Sequence, residues 1–320
     1  MVLPLAAQEV PGLWVVATRG KYGYINRQGR MVIPPKFDFA WPFQEGLASA
    51  WVGGQGHSQA GYIDATGNFA IGARFDDARG FNEGLAAVQI GGQWSFIDRT
   101  GARLTPEDYE NLRDFSQQRG AFRMKTKWGY LDTKGTIVIS PQYSLAGSFS
   151  EDLAWVFHGS HCGYIGLLGN LVISFEFDRC GEFSQNLAPV EAEGRWGFVD
   201  NEGKYRIQPR FSNALSFSEG LAAVERRGAW GYINTAGHFV IRPQFFSLNG
   251  RQAASSFSEG LACVRRRDKW GFIDHNGTMV IPPQFVRCGN FQHGLAEVCD
   301  TPTHCGYIDD RGKYIWAGDR

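Results

Sequence analysis

Six cysteines, seven histidines and a recurring set of carboxylates carry whatever covalent, metal or proton-transfer chemistry this 320-residue chain could perform. Their spacing argues against most of it. No nucleophile elbow, phosphate-binding loop, dinucleotide fingerprint or His-Glu-x-x-His occurs. His57, His158, His161, His238, His275, His293 and His304 lie mainly in polar turn segments and share no phase. Asp64, Asp98, Asp132, Asp200, Asp274 and Asp309 do share one, each three residues before a glycine. That is turn chemistry, in which a short carboxylate bonds nearby backbone N–H groups while glycine takes positive φ. Cys299 and Cys305 flank a polar turn and are candidates for a hairpin disulfide, which would point to an oxidising compartment. Cys162, Cys180, Cys263 and Cys288 are scattered, although Cys180 and Cys288 share a phase. Free thiols are the competing reading. Zinc on Cys299, His304 and Cys305 lacks a standard spacing and a fourth ligand. No catalytic, cofactor or metal set is expected, and the chain is expected not to be an enzyme.

What must position any binding residue is a repeat. Tracts such as Tyr22-Gly23-Tyr24-Ile25-Asn26, Trp128-Gly129-Tyr130-Leu131-Asp132 and Trp230-Gly231-Tyr232-Ile233-Asn234 recur along the whole chain. From Gly23 onward the steps are 38, 34, 34, 34, 34, 34, 40 and 35 residues. A second glycine follows each core by six residues, and a Gly-Leu-Ala-like element with a Phe three residues ahead of it keeps the same phase. A helical repeat would lose about 1 kcal/mol at each internal Gly and about 3 at each Pro. Apolar residues here alternate instead.

The segment from Gly220 to Phe257 shows the expected unit. Leu221 to Val224 is a first strand, Trp230 to Asn234 a second, and Phe239 to Ile241 a third, stopped by Pro243. Such a meander cannot bury its apolar face alone, so stacked neighbours must supply the core. The predicted fold is an all-β tandem array of about nine short three-stranded antiparallel meanders, forming either an open superhelix (solenoid) or a closed propeller-like ring. Residues 10–18 could supply a strand missing from the last repeat, and closure would require those ends to pair.

These residues resemble the WG-repeat (KWG-repeat) family, named for its Trp-Gly pair. Lys269-Trp270-Gly271-Phe272-Ile273-Asp274, Gly277, Val280-Ile281-Pro282-Pro283-Gln284-Phe285 and Phe257-Ser258-Glu259-Gly260-Leu261-Ala262 follow its pattern closely. The resemblance runs from Gly12 to Ile315 and implies an all-β, mostly bacterial repeat without a defined activity. Thr105-Pro106-Glu107-Asp108 departs from the third-strand pattern, Gly166 stands where Asp is expected, and Cys162 and Cys305 stand in the Trp column.

The net charge is zero, from 32 basic and 32 acidic residues, which removes a global electrostatic case for nucleic acid or an anionic membrane. No run approaches the roughly 20 apolar residues that span a bilayer. Residues 1–9 are expected to be an N-terminal extension to a single repeat domain over residues 10–320. This start carries no complete signal peptide, which points to the cytoplasm; a truncated signal would place the chain outside it.

Two sets of residues are candidate contacts. Basic residues gather in the turn before the Trp-Gly pair, most densely at Arg226, Arg227, Arg265, Arg267 and Lys269. Acids gather before Leu-Ala, at Glu45, Glu83, Glu151, Glu219 and Glu259. Stacking would give one basic and one acidic rim, with plain solvated surface as the bland reading. In the first strand one column varies through Ser49, Ala87, Trp155, Pro189, Ala223, Cys263 and Glu297, and alternation turns it away from the fixed Ala and Val. Trp155, Pro189 and Glu297 are therefore candidate specificity positions. The leading expectation is a non-enzymatic protein–protein interaction scaffold meeting an acidic protein partner. The alternative is a glycan or cell-wall binding module, which needs repeated Trp and Tyr facing solvent.

Overall fold

The structure is a computed structural model and describes residues 12–54, 56, 58–247 and 252–319. The N-terminal extension and His57 lie outside the described residues. Every regular element among the described residues is a β-strand, and no helix is long and apolar enough to cross a membrane. The strands form nine small antiparallel sheets in chain order, numbered here one to nine. They divide between two compact units, Met1–Tyr143 with Gly318–Arg320 and Ser144–Ala317.

Sheet seven represents the plan, with Asn213–Ala214, Leu221–Arg226, Ala229–Asn234 and Phe239–Phe246 side by side. The two-residue lead strand was not expected, because a run that short shows no alternation. In sheet eight it shrinks to a single bridge, Ala254 to Val264. Sheet three lacks a regular third strand. Bridges from Ile97 to Arg103 and Trp94 to Tyr109 replace it, around the divergent Thr105-Pro106-Glu107-Asp108. Of residues 10–18, the described strand Leu13–Thr18 pairs with Lys21–Asn26 in sheet one. Sheet nine has its own outer strand, Tyr314–Asp319.

Pro243 does not stop the third strand, which continues to Phe246. The register shows why. Trp230 faces Phe245 and Tyr232 faces Ile241, so the third strand bulges between them. Pro243 sits in that bulge on an edge strand, where its missing N–H breaks no ladder bond. The bulge presses the backbone against Gly231, where an added Cβ would lie 2.5 Å from the Ile241 carbonyl oxygen and 2.7 Å from the Pro243 nitrogen. Close backbone approach therefore requires the glycine of the Trp-Gly pair.

Each core lies where one sheet meets the next. Tyr232, Ile241 and Phe245 of sheet seven pack with Phe257, Ala262, Val264 and Ile273. The second-strand Tyr stands edge-on or tilted against the following Phe of the repeat, as in Tyr62–Phe81, Tyr164–Phe183 and Tyr232–Phe257. Its hydroxyl donates to a backbone carbonyl just beyond, from Tyr62 to Arg79 at 2.7 Å and from Tyr164 to Gly181 at 2.8 Å. The polar tip is thereby satisfied while the ring is buried.

Candidate functional site

The charged residues divide into those engaged within the fold and those exposed at its surface. The phased aspartates are engaged within their own turns. Asp64 Oδ1 accepts from the Thr66 and Asn68 amides, and Asp274 Oδ1 from those of Asn276 and Thr278. The Thr66 hydroxyl, opposed by partial desolvation and helped by neighbouring amides, holds Asp64 below the usual carboxylate range. Thr100 does the same first for Asp98.

The acidic row is engaged as well, so it is not a free rim. Glu45 accepts from the Glu83 amide at 2.7 Å and the Gly84 amide at 3.0 Å. Glu259 accepts from those of His293 at 2.6 Å and Gly294 at 2.8 Å. Glu83 with Gln118, Glu151 with Asn186 and Glu219 with Gly260 repeat the contact. Each carboxylate thus clamps the corresponding turn one repeat on, where residues such as Glu83 and His293 have positive φ.

The basic candidates separate by position. Arg226, Arg227 and Arg267 are exposed and Lys269 is half-buried, but Arg265 is only 7% exposed. Arg265 is therefore not a rim residue: it lies on the same side of its strand as Cys263, and every residue from Ala262 to Arg265 is buried before Arg266 emerges. Arg226 and Arg227 line a groove of about 570 Å³ together with Arg242 and Phe246. Phe246 is 67% exposed. It reaches the groove because Ala229, at the end of the Arg226–Ala229 hairpin, pairs with it across the sheet. A third strand that stops at Pro243, as the sequence pattern predicts, leaves Arg242 and Phe246 out of the candidate set. The alternation of Val240, Arg242, Gln244 and Phe246, all exposed, was the available signal.

The variable column is covered, not free. Pro189 is buried, and Trp155 and Glu297 are half-buried. The chain leaving each lead strand runs over this column and bonds it, through Gly147 N to Trp155 O, Gly181 N to Pro189 O and Gly289 N to Glu297 O. Where the column residue is large the covering residue is glycine. Where the column residue is Ser49, Ala87 or Ala223, the covering residue is Trp41, Arg79 or Leu215. Variation along the column is matched to its cover in size, which a single strand's alternation could not reveal.

Cys299 and Cys305 face each other across their hairpin and are disulfide-bonded, with Cα atoms 4.0 Å apart. Both sulfurs are thereby unavailable to zinc. Cys162–Cys180 and Cys263–Cys288 are bonded too, each linking one sheet to the lead strand of the next.

Solved structures of varied proteins resemble the chain at low sequence identity. The chain is similar to one described as a eukaryotic initiation factor, with TM-score 0.55 and 13% identity over 97% of this chain and 85% of that one. It is similar to the dihydro-heme d1 dehydrogenase NirN in complex with DHE, with TM-score 0.50 and 13% identity over 96% and 73%. For BamB from Moraxella catarrhalis the TM-score is 0.46 and the identity 11%, over 94% and 92%. No curated protein sequence matches the chain. The WG containing repeat profile matches residues 22–54, 61–94, 128–160, 163–196, 196–228, 230–270 and 270–300, passing over the irregular end of sheet three. Matched over most of its length, the chain belongs to the WG containing repeat family.

Proposed function

We propose that this chain is a non-enzymatic protein-binding scaffold that receives an acidic segment of a partner protein in the arginine–phenylalanine groove of sheet seven. The observation that carries this reading is the grouping of Arg226, Arg227 and Arg242, none in an ion pair among the described residues, around an exposed Phe246. Three guanidinium groups give the groove a positive charge and forked donors suited to recognising carboxylates. Phe246 supplies the apolar anchor, while the exposed arginines steer and orient. Burial of the repeated aromatics favours this reading over glycan binding: Tyr24, Tyr62, Tyr164 and Tyr232 are fully buried. Three disulfides support an oxidising compartment as the place where the scaffold works.

Peptide display against the full chain tests the proposal. Sequences rich in Asp and Glu around an apolar residue are expected to be enriched. Enrichment is expected to disappear when Arg226, Arg227 and Arg242 are replaced together by Ala. Selection without acidic bias, or the same selection by the triple variant, would overturn the reading.

A further inference from the structure

We propose that a second cavity, around Arg265 of sheet eight, is a carboxylate-binding pocket separate from the sheet-seven groove. Its volume is about 490 Å³, within the range of sites for small organic groups. Arg265 forms the positively charged part of its wall, and its Nε and Nη2 are buried with no hydrogen-bond partner among the described residues. These two nitrogens share one edge of the guanidinium, the edge that grips both oxygens of a carboxylate in parallel. The Trp270 ring lies 5.8 Å from the Arg265 Cζ, and the Cys263–Cys288 disulfide closes one side.

At the equivalent place in other sheets the charged residue has an ion-pair or hydrogen-bond partner, although Arg123 Nε, like Arg265 Nε, makes no hydrogen bond among the described residues. In sheet four the residue at the same place is Arg123, whose Nε is 3.4 Å from the Glu110 carboxylate. In sheet six it is Glu191, 3.2 Å from Arg179. In sheet seven it is Glu225, which accepts from the Ser247 hydroxyl at 2.9 Å. The bridge from Ala254 to Val264 sets the register in sheet eight, so the positions of Glu110 and Arg179 are taken there by Gln252 and Ala253. Gln252 donates its amide to the Ala254 carbonyl instead. Asp268, at the exposed mouth, makes no ion pair with Arg265 among the described residues.

A buried guanidinium with an unpaired edge is unfavourable, and a carboxylate from outside the chain would offset that cost. The same chemistry is offered by a free organic acid or by an acidic side chain of a peptide. Calorimetric titration of the full chain, in buffer free of carboxylate and phosphate, separates these sources with succinate and a terminally blocked Asp-containing tripeptide. Saturable binding of either is expected, and the tighter one identifies the source. Arg265→Lys keeps the charge but loses the two-pronged edge, and is expected to weaken binding roughly ten- to hundredfold. Asp268→Asn changes only an exposed side chain and is expected to tighten binding by removing a like charge. The variant lacking Arg226, Arg227 and Arg242 is expected to bind succinate as the unaltered chain does, so failure of the sheet-seven reading leaves this one standing. Absence of saturable binding to both probes, binding of inorganic phosphate alone, or unchanged affinity in Arg265→Lys would each overturn the assignment. If Arg265→Lys does not fold, unchanged or weaker binding in Asp268→Asn overturns it.

Discussion

Gly231 and Gly72 give opposite expectations for the same substitution. A Cβ at Gly231 collides with the bulged backbone of the neighbouring strand, whereas at Gly72 nothing lies within 4 Å. Gly231→Ala is expected to destabilise the fold by about 1–3 kcal/mol, the usual cost of overpacking. Gly72→Ala should stay within about 0.5 kcal/mol of the unaltered chain. Denaturant midpoints of the two variants check this, and equal shifts would rule out the backbone clash as the reason for the Trp-Gly glycine. The sequence displayed that glycine as a spacing mark but not its cause, because the cause lies in a bulge on another strand. The turn aspartates were legible, since their partners sit two and four residues away. Asp38 was not, because its partners are distant in the chain. The Lys21 side chain first, then the Gly54 amide and the Ser58 hydroxyl, lower its pKa to about 2 from 3.8. A depressed folded pKa stabilises the protein above the unfolded value, and that contribution is lost as pH falls from 3.8 toward about 2. Melting temperatures across this window should fall more steeply for the unaltered chain than for Asp38→Asn. The difference should be small and shrink in salt, because the site is near the surface.

Turns that clamp one another, rather than strands alone, tie successive repeats together. Glu259 bonds two amides of the following turn, so Glu259→Ala leaves both without that partner. The expected loss is about 1 kcal/mol, at the low end for charge-assisted bonds because water can replace the carboxylate. Hydrogen exchange locates the effect: the amides of His293 and Gly294 should exchange faster, while those of the distant Glu83–Gly84 turn should not change. Uniform acceleration would instead mean that the glutamate acts on global stability. The acidic residues were visible in the sequence as a phased row, and so were the three long strands. Their destination was not, because a side chain that reaches 34 or 35 residues along the chain reveals its partner only after neighbouring sheets are stacked. The same reason hid the lead strand and the cover over Trp155, Pro189 and Glu297.

All six cysteines lie between residues 162 and 305, hence within the compact unit Ser144–Ala317 and outside the unit beginning at Met1. The nine-fold period was plain in the sequence, but two of the three cysteine pairings cross from one repeat to the next and were not. The shared phase of Cys180 and Cys288 was their trace: both occupy lead strands, each receiving a sulfur from the preceding sheet. The bridges span 18, 25 and 6 residues. Constraint of the unfolded chain scales with loop length, giving about 3 kcal/mol for each of the two longer loops and about 2 for the hairpin. Reduction should therefore weaken the two units unequally. Peptide-resolved hydrogen exchange with and without reductant is expected to show faster exchange across residues 144–317. Residues 12–143, which contain no cysteine, should keep their protection. Equal loss in both stretches would mean that the molecule opens as one cooperative body, and no loss in either would remove the disulfides from the account of its stability.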